Sequence, residues 1–410
     1  MALNYVWIAF FVISFAVALF RLIFLGDVEI FGKMTTSLFE SGKTGAEIAI
    51  GLTGMMAFWL GIMKIGERAG MIAKLARGVN PLFKRLFPGI PDKHPAMGSV
   101  VMNFSANALG LDNAATPMGL KAMNELQELN PKKDTATDAQ IMFLVLNTAG
   151  ITMIPTAVMA MRLTMGAANP ADIFIPTMIG TFISFISGMI AVAIYQRINL
   201  FRPALLFFVG GFIGLMYLLY LWMRNMPQEE IAVKTAMLGG IIIFSIITSF
   251  LVVGWQKKIN VYDAFIDGAK EGFTTAVMII PYLVAILVGI AVFRATGCLD
   301  FITNGIAYVV AMMGLNTDFV PALPVGIMKT FSGSGARGIM VELMKTHGPD
   351  SFVGRLACIM QGSTETTFYV LAVYFGSVNI KNTRYALTCG LIADAVGIIA
   401  AIMIGYIFFH

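Results

Sequence analysis

The sequence predicts an all-α polytopic membrane protein made of two homologous repeats of inverted topology, each with broken or re-entrant helices, joined by an extra transmembrane helix. Three observations lead there. Of 410 residues, 58% are hydrophobic and only 12% charged, with a mean hydropathy of +0.81, whereas soluble domains carry roughly 25% charged residues. The chain matches itself at a constant shift of 227 residues, as from Gly70 to Gly297. The charges flanking the matching segments change sign between the two copies.

Apolar runs close to the roughly 20 residues that cross a bilayer occupy 4–25, 44–63, 173–195, 204–223, 232–255, 276–293 and 387–409. Further stretches at 95–110, 141–160, 301–314, 318–331 and 356–374 are interrupted by Asn, Ser, Thr, Gly and Pro, and read as half-helices or re-entrant segments. The first run has no basic segment before it and no clean small-residue cleavage site after it, so it reads as a retained helix. A net charge of +5 follows from an excess of Lys and Arg in cytoplasmic loops, and no nucleic-acid partner is expected. Cys298, Cys358 and Cys389 form no C-x-x-C pair and sit in or beside apolar segments. They read as buried small apolar residues, with no disulfide framework or metal site.

The internal match runs without a gap from Phe39–Ile72 onto Ile266–Leu299, placing Glu40 on Asp267, Lys43 on Lys270 and Gly45 on Gly272. The same shift lays "NFSANALG" (Asn103–Gly110) on "TFSGSGAR" (Thr330–Arg337). Later the shift falls to 214, with Asn147 on Gln361 and Thr152 on Thr366. The chain therefore divides into a first repeat at 1–200, a linker helix at 201–230 and a second repeat at 231–410. Between Lys64 and Lys93 stand seven basic residues, Lys64, Arg68, Lys74, Arg77, Lys84, Arg85 and Lys93, against Glu67 and Asp92. That is a cytoplasmic signature. The corresponding 291–320 holds Arg294 against Asp300 and Asp318; conversely, acidic Asp27, Glu29 and Glu40, with Lys33, face Lys257 and Lys258 in the second copy. Inverted repeats recur in secondary transporters, whose sites lie near the midplane where the repeats meet and helices are broken.

Four polar clusters interrupt the apolar chain, two in each repeat and at corresponding places. In the first repeat they supply Asn103, Ser105, Asn107 and Asn113, then Asn147, Thr148 and Thr152. In the second they supply Ser332, Ser334 and Arg337, then Gln361, Ser363, Thr364, Glu365 and Thr366. Asn103 and Asn107 share a helical face, as do Thr148 and Thr152, and Gln361, Thr364 and Glu365. Single Ser or Thr residues also serve close packing of membrane helices, but four equivalent clusters point to one substrate cavity. Glu365 stands out because an ionisable group at the centre of a membrane helix costs about 2.5–3.5 kcal/mol. Its compensation is Arg337, Lys329, a substrate ammonium, or a coupling proton or sodium ion; the structural alternative is an ion pair with Arg337 or Arg355. Asp112 and Asp394 join Glu365 as ion-coupling candidates. Asp112 equally suits an exposed loop, while Asp394 and Glu47 rank lower because each stands alone in its apolar run.

"KTFSGSGARG" (Lys329–Gly338) contains G-x-G-x-x-G, but a dinucleotide site needs a preceding strand and an acidic residue about 20 positions on. Here two prolines precede it in a membrane-type segment, and Glu342 follows too soon. The glycines instead suit a break in which a helix restarting near Ala336 offers backbone N–H groups to an anion. His94, His347 and His410 lie outside the apolar interiors, and no hydrolytic, redox or phosphate-binding motif occurs. No catalysis, metal or organic cofactor is expected.

"FWLGIMKIGERAGM", "FPGIPDKHPAMG", "NAATPMGLKAM" and "NTAGITMIPT" resemble the spore maturation protein A family. "DGAKEGFTTAVMIIPYLVAILVGIAVFRATGCLD", "GPDSFVGRLACIMQGSTETTFYVLAVYFGSV" and "LIADAVGIIA" closely resemble the spore maturation protein B family. Nearly the whole chain is covered, with two usually separate proteins fused. Both families belong to the nucleoside-recognition or gate superfamily, which is similar to parts of concentrative nucleoside transporters and of the ferrous-iron transporter's membrane domain. The resemblance implies a multi-pass transporter of the bacterial inner membrane, and a functional link to a D-alanyl-D-alanine carboxypeptidase, whose gene commonly adjoins the family's genes. The reading is thus a secondary transporter of a small polar metabolite, such as the amino acid D-alanine, with the lipid bilayer as its surroundings and homo-oligomers compatible with it. Alternatives are a nucleoside transporter, a non-transporting scaffold for cell-wall enzymes and a flippase for lipid-linked precursors.

Overall fold

The computed structural model describes residues 2–91, 94–108, 112–152, 155–200, 203–223 and 228–410. Within them the chain forms α1 (Ala2–Leu25), α2 (Ile30–Arg68), α3 (Met71–Leu86), α4 (Pro95–Ala108), α5 (Asp112–Glu128), α6 (Asp138–Thr148), α7 (Thr156–Thr164) and α8 (Phe174–Gln196). After α9 (Pro203–Met223) come α10 (Gln228–Gln256), α11 (Val261–Ala295), α12 (Cys298–Met312), α13 (Leu323–Phe331), α14 (Gly333–His347), α15 (Phe352–Ser363), α16 (Thr367–Ser377) and α17 (Ala386–Phe409). Among the described residues there is no strand, only an isolated bridge between Thr135 and Asn382. Among the described residues five helices are long and apolar enough to span a membrane, and a sixth span results if 287–295 and 298–312, bent by 76°, count as one. The chain is an all-α, multi-pass membrane protein.

Helices α2 and α11, of 39 and 35 residues, outrun the apolar stretches expected at 44–63 and 276–293. Their charged ends remain helical because opposite charges meet between them. Lys64 contacts Glu271 at 3.0 Å, and Arg68 contacts Asp267 at 2.7 Å. The two helices pack antiparallel. Gly45 lies against Val284, Met56 against Gly272, and Gly61 against Phe265. A Cβ on Gly272 would stand 2.5 Å from the Met56 carbonyl oxygen and 2.6 Å from the Ala57 Cα, so glycine is what lets the backbones meet. Gly272→Leu is expected to force the pair apart at a cost of about 1–3 kcal/mol, read as a lowered melting temperature of the purified protein.

Each of these long helices ends in the same way. Gly70 (φ +70) caps α3 and Gly297 (φ +82) caps α12, both in the left-handed region that favours glycine. The basic stretch expected as a cytoplasmic loop is mostly α3, an amphipathic helix. It buries Leu82, Phe83 and Leu86 while Lys74, Arg77 and Arg85 stay exposed, the pattern of a helix with one apolar face.

Helices α6, α8, α15 and α17 pack together at the centre, and two polar clamps tie the halves around them. In one clamp, the backbone N–H groups of Lys381 and Asn382 donate to the Asp134 carbonyl, and Arg384 pairs with Asp138 at 2.8 Å. In the other, Arg162, with no exposed surface, pairs with Asp172 and Asp350, each at 2.9 Å, and donates to the Pro349 carbonyl at 2.6 Å. Arg355 completes this clamp through Asp172 at 2.7 Å. Asp172 lies in the loop before α8, and burial pushes its carboxyl above the usual range, outweighing Arg162 and Arg355.

Candidate functional site

The polar clusters lie at helix breaks. Extended Thr364 and Thr366 separate α15 from α16, a conformation that β-branched threonine readily adopts. Pro155 precedes α7, and Ser332 (φ −156, ψ 115) both ends α13 and opens α14. The breaks of the two halves touch. The Glu365 backbone N–H donates to the Thr148 carbonyl at 2.9 Å. Gly150, at φ +35, packs so closely that a Cβ there would lie 2.7 Å from the Glu365 Cγ.

Around this contact are two cavities that share Arg337 and Glu365. The larger, about 260 Å³, is lined by Asn107 and Asn147 from the first half and by Arg337, Glu365, Tyr369 and Tyr374 from the second. Asn107 donates to the Asn147 side-chain carbonyl at 2.9 Å. The smaller, about 60 Å³, adds Thr152, Lys329 and Gln361. Glu365 keeps 47% of its side chain exposed and meets the buried Lys329 ammonium at 3.6 Å. Arg337 forms no ion pair among the described residues, which leaves a guanidinium free to face an anion.

Of the expected site residues, Asn107, Asn147, Thr152, Arg337, Gln361 and Glu365 converge on these cavities. Others do not line them. Ser105 and Ser363 bond back to the carbonyls of Val101 and Ile359 in their own helices. Asn103 donates to the Ala115 carbonyl at 2.8 Å. Buried Thr148 contributes its backbone carbonyl, while Thr364 packs on Gly397, and Thr366 is set against Gly333. Asp112 and Asn113 belong to the first turn of α5, but their side chains lie outside the described residues.

The glycine segment differs from expectation. Helix α14 restarts at Gly333, not near Ala336, and Ser332 accepts the Gly335 N–H at 3.0 Å while bonding Ser334 at 3.2 Å. The serine therefore caps its own helix, and Ser332 and Ser334 stay out of both cavities. Arg337, one turn in, carries the positive charge to the site. Glu365 takes Lys329 as its cation; neither Arg337 nor Arg355 pairs with it, and Arg355 belongs to the clamp at Asp172. Asp394, ranked low as isolated, is 2% exposed and accepts a 2.7 Å bond from the Thr367 hydroxyl. Tyr374 and Thr367 were not singled out, although Thr367 stands within the polar stretch from Gln361 to Tyr369 and Tyr374 follows it.

Broken helices meeting at a polar cavity define a multi-pass membrane protein with a small-molecule-sized site. The chain belongs to the nucleoside-recognition (Gate) family, whose pattern it matches over 49–165 and 276–381. It is 46% identical to spore maturation protein B of Bacillus subtilis (strain 168), over 39% of this chain and 88% of that protein. It is 38% identical to spore maturation protein A of the same organism, over 46% of this chain and 92% of that protein. These coverages are consistent with a fusion of the two. Inner membrane protein YjiG of Escherichia coli (strain K12) is 36% identical over 22% of this chain and 56% of its own length. No solved structure matches. Among the described residues no group of His, Cys, Asp and Glu is placed to hold a metal ion.

Proposed function

We propose that the chain is a secondary transporter of a small zwitterionic metabolite, an amino acid such as D-alanine, bound between two inverted repeats and coupled to a proton or sodium ion. The observation that carries this reading is the 260 Å³ cavity holding an unpaired Arg337 and a half-exposed Glu365. A guanidinium suits the substrate carboxylate and a carboxylate suits its ammonium. The volume lies below the roughly 300–1,000 Å³ typical of pockets for drug-sized ligands, which favours a compact solute. The antiparallel packing of α2 on α11, equivalent helices under the 227-residue shift, supports the inverted arrangement. The two halves at 1–200 and 231–410, joined by the helix in 201–230, are the units of this reading.

The resemblance-based link to a D-alanyl-D-alanine carboxypeptidase supports D-alanine, which such an enzyme releases. A nucleoside is the second reading, favoured by the family's description and by Tyr369 and Tyr374 in the cavity wall, since aromatic rings stack on bases. A purely structural scaffold is not favoured by a cavity of this size. Uptake of labelled D-alanine into proteoliposomes, competed with uridine and with or without sodium, is the test. D-alanine accumulation that uridine does not compete is expected, with at least tenfold loss in Arg337→Ala. Uptake that uridine displaces, or that ignores Arg337, overturns the zwitterion assignment.

A further inference from the structure

Behind the cavity, the Lys329 ammonium acts on two carboxyl groups, Glu365 and Asp394. On the cavity side it meets Glu365 at 3.6 Å, longer than a good charge-assisted hydrogen bond of about 2.7–2.9 Å. Asp394 belongs to α17, which packs on α13. Helices α13 and α17 cross with Gly326 against Ile398, so Thr330, one turn on from Gly326, meets Asp394, one turn back from Ile398. Thr330 and Lys329, neighbours in α13, are the side chains of that helix whose dipole and charge act on the Asp394 carboxyl. One Asp394 oxygen accepts from Thr367, while the other, buried, has no partner.

Charges elsewhere around Asp394 are sparse. Helices α8 and α16 contain no charged residue, and α17 contains no other. The only charges in α6 and α15, Asp138 and Arg355, lie near their starts and belong to the clamps. In α10, Glu230 pairs with Lys234 near the start of that helix. Glu365 is the other charged group acting on Asp394. The fate of the Asp394 charge therefore rests on Lys329.

We propose that Lys329 exchanges between Glu365 and Asp394, so that Asp394 holds a proton while the cavity is empty and releases it when a substrate ammonium takes over Glu365. This rests on the zwitterion reading and makes the coupling ion a proton. In the empty state Lys329 neutralises Glu365, and Asp394 is a neutral acid. In the loaded state the ammonium sits on Glu365, the substrate carboxylate on Arg337, and Lys329 turns to Asp394. The Asp394 O–H bond breaks, its electron pair stays on the carboxylate, and the proton leaves to water through the cavity. Each half-state is charge-balanced around these groups, apart from the unpaired Arg337 of the empty site. Because substrate and proton exclude one another, the coupling is exchange: substrate moves one way and a proton the other.

Infrared difference spectroscopy of the protein in lipid nanodiscs reads this without any ligand. The wild type is expected to show a buried carboxylic-acid C=O band that Asp394→Asn deletes and Asp394→Glu, which keeps the acid, shifts. Glu365→Gln, which frees Lys329, should diminish the band, and adding Lys329→Met should restore it. A band unchanged by Glu365→Gln, no band in the wild type, or a band removed by sodium chloride but not choline chloride overturns the exchange. D-alanine added to the wild type should release about one proton, with affinity rising about tenfold per pH unit over the range in which the acid forms. If the band follows the substitutions but D-alanine neither binds nor releases a proton, the amino-acid reading falls and the Lys329 exchange is upheld.

Discussion

Glu365→Gln is expected to abolish concentrative D-alanine uptake and to weaken D-alanine binding at least tenfold, with the melting temperature of the purified protein little changed. The side chain is 47% exposed and its one ion pair, to buried Lys329, is long at 3.6 Å. In the proposed exchange Lys329 turns to Asp394 when Glu365 is neutral, so the buried ammonium is not left without a carboxylate. Glutamine matches its shape but offers no negative charge to a substrate ammonium. A hydrogen bond to a charged group contributes about 1.5–3 kcal/mol, and each 1.4 kcal/mol is a factor of about ten in affinity. Transport in proteoliposomes and binding by calorimetry separate the two effects. Undiminished uptake would remove Glu365 from the site. The backbone bond from Glu365 to Thr148 survives this substitution, so the meeting of the two breaks is not itself perturbed.

Arg162→Ala is expected to give the largest loss of stability of any single change considered, about 3–5 kcal/mol, because it strips a partner from a buried charge. Arg162 is fully enclosed and reaches Asp172, Asp350 and the carbonyls of Pro349 and Asn169. Without it, buried Asp172 retains only Arg355. Lysine cannot replace the fork of guanidinium donors, so Arg162→Lys should restore only part of the loss. The pH dependence has a definite sign. Burial already raises the Asp172 pKa in the folded protein, and losing Arg162 raises it further. A carboxyl with a higher pKa folded than unfolded stabilises the folded state below its unfolded pKa, and that contribution is lost as pH rises through the folded value. The deficit of Arg162→Ala relative to wild type should narrow as pH falls toward the folded pKa and widen above it, as melting curves across pH will show. A deficit independent of pH would mean that Asp172 is not the group left uncompensated.

Much of the architecture was legible because bilayer solvation imposes long apolar runs, and α1, α8, α10 and α17 sit where those runs fell. The constant shift located Gly70 and Gly297 as equivalents, and both adopt positive φ. The excess length of α2 and α11 was not legible, since it depends on Lys64 finding Glu271 and Arg68 finding Asp267 across the chain. The same holds within the site. Helical spacing put Gln361, Thr364 and Glu365 on one face, and Thr148 with Thr152, but α15 ends at Ser363 and α6 at Thr148, so helix breaks rather than a shared face carry Glu365 and Thr152 to the site. Nor did anything local tie Asp394 to Thr367, a partner 27 residues away on another helix. Ser105 and Ser332 looked like ligands by residue type; their hydroxyls instead bond within their own segments, a competition that Ser commonly resolves that way.

Helix α9 lies in the chain between α8 and α10. The B. subtilis relatives are two separate polypeptides, whereas here the stretches similar to them lie on one chain. Tethering turns an encounter into an intramolecular event, with an effective concentration on the order of millimolar for a short connection. Pairing of α2 with α11 and closure of both clamps then no longer depend on how many copies the cell makes or on matched synthesis of two chains. The halves should stay associated on dilution in detergent. Severing the chain at α9 should make their association, and with it the completeness of a site drawn from both, depend on concentration.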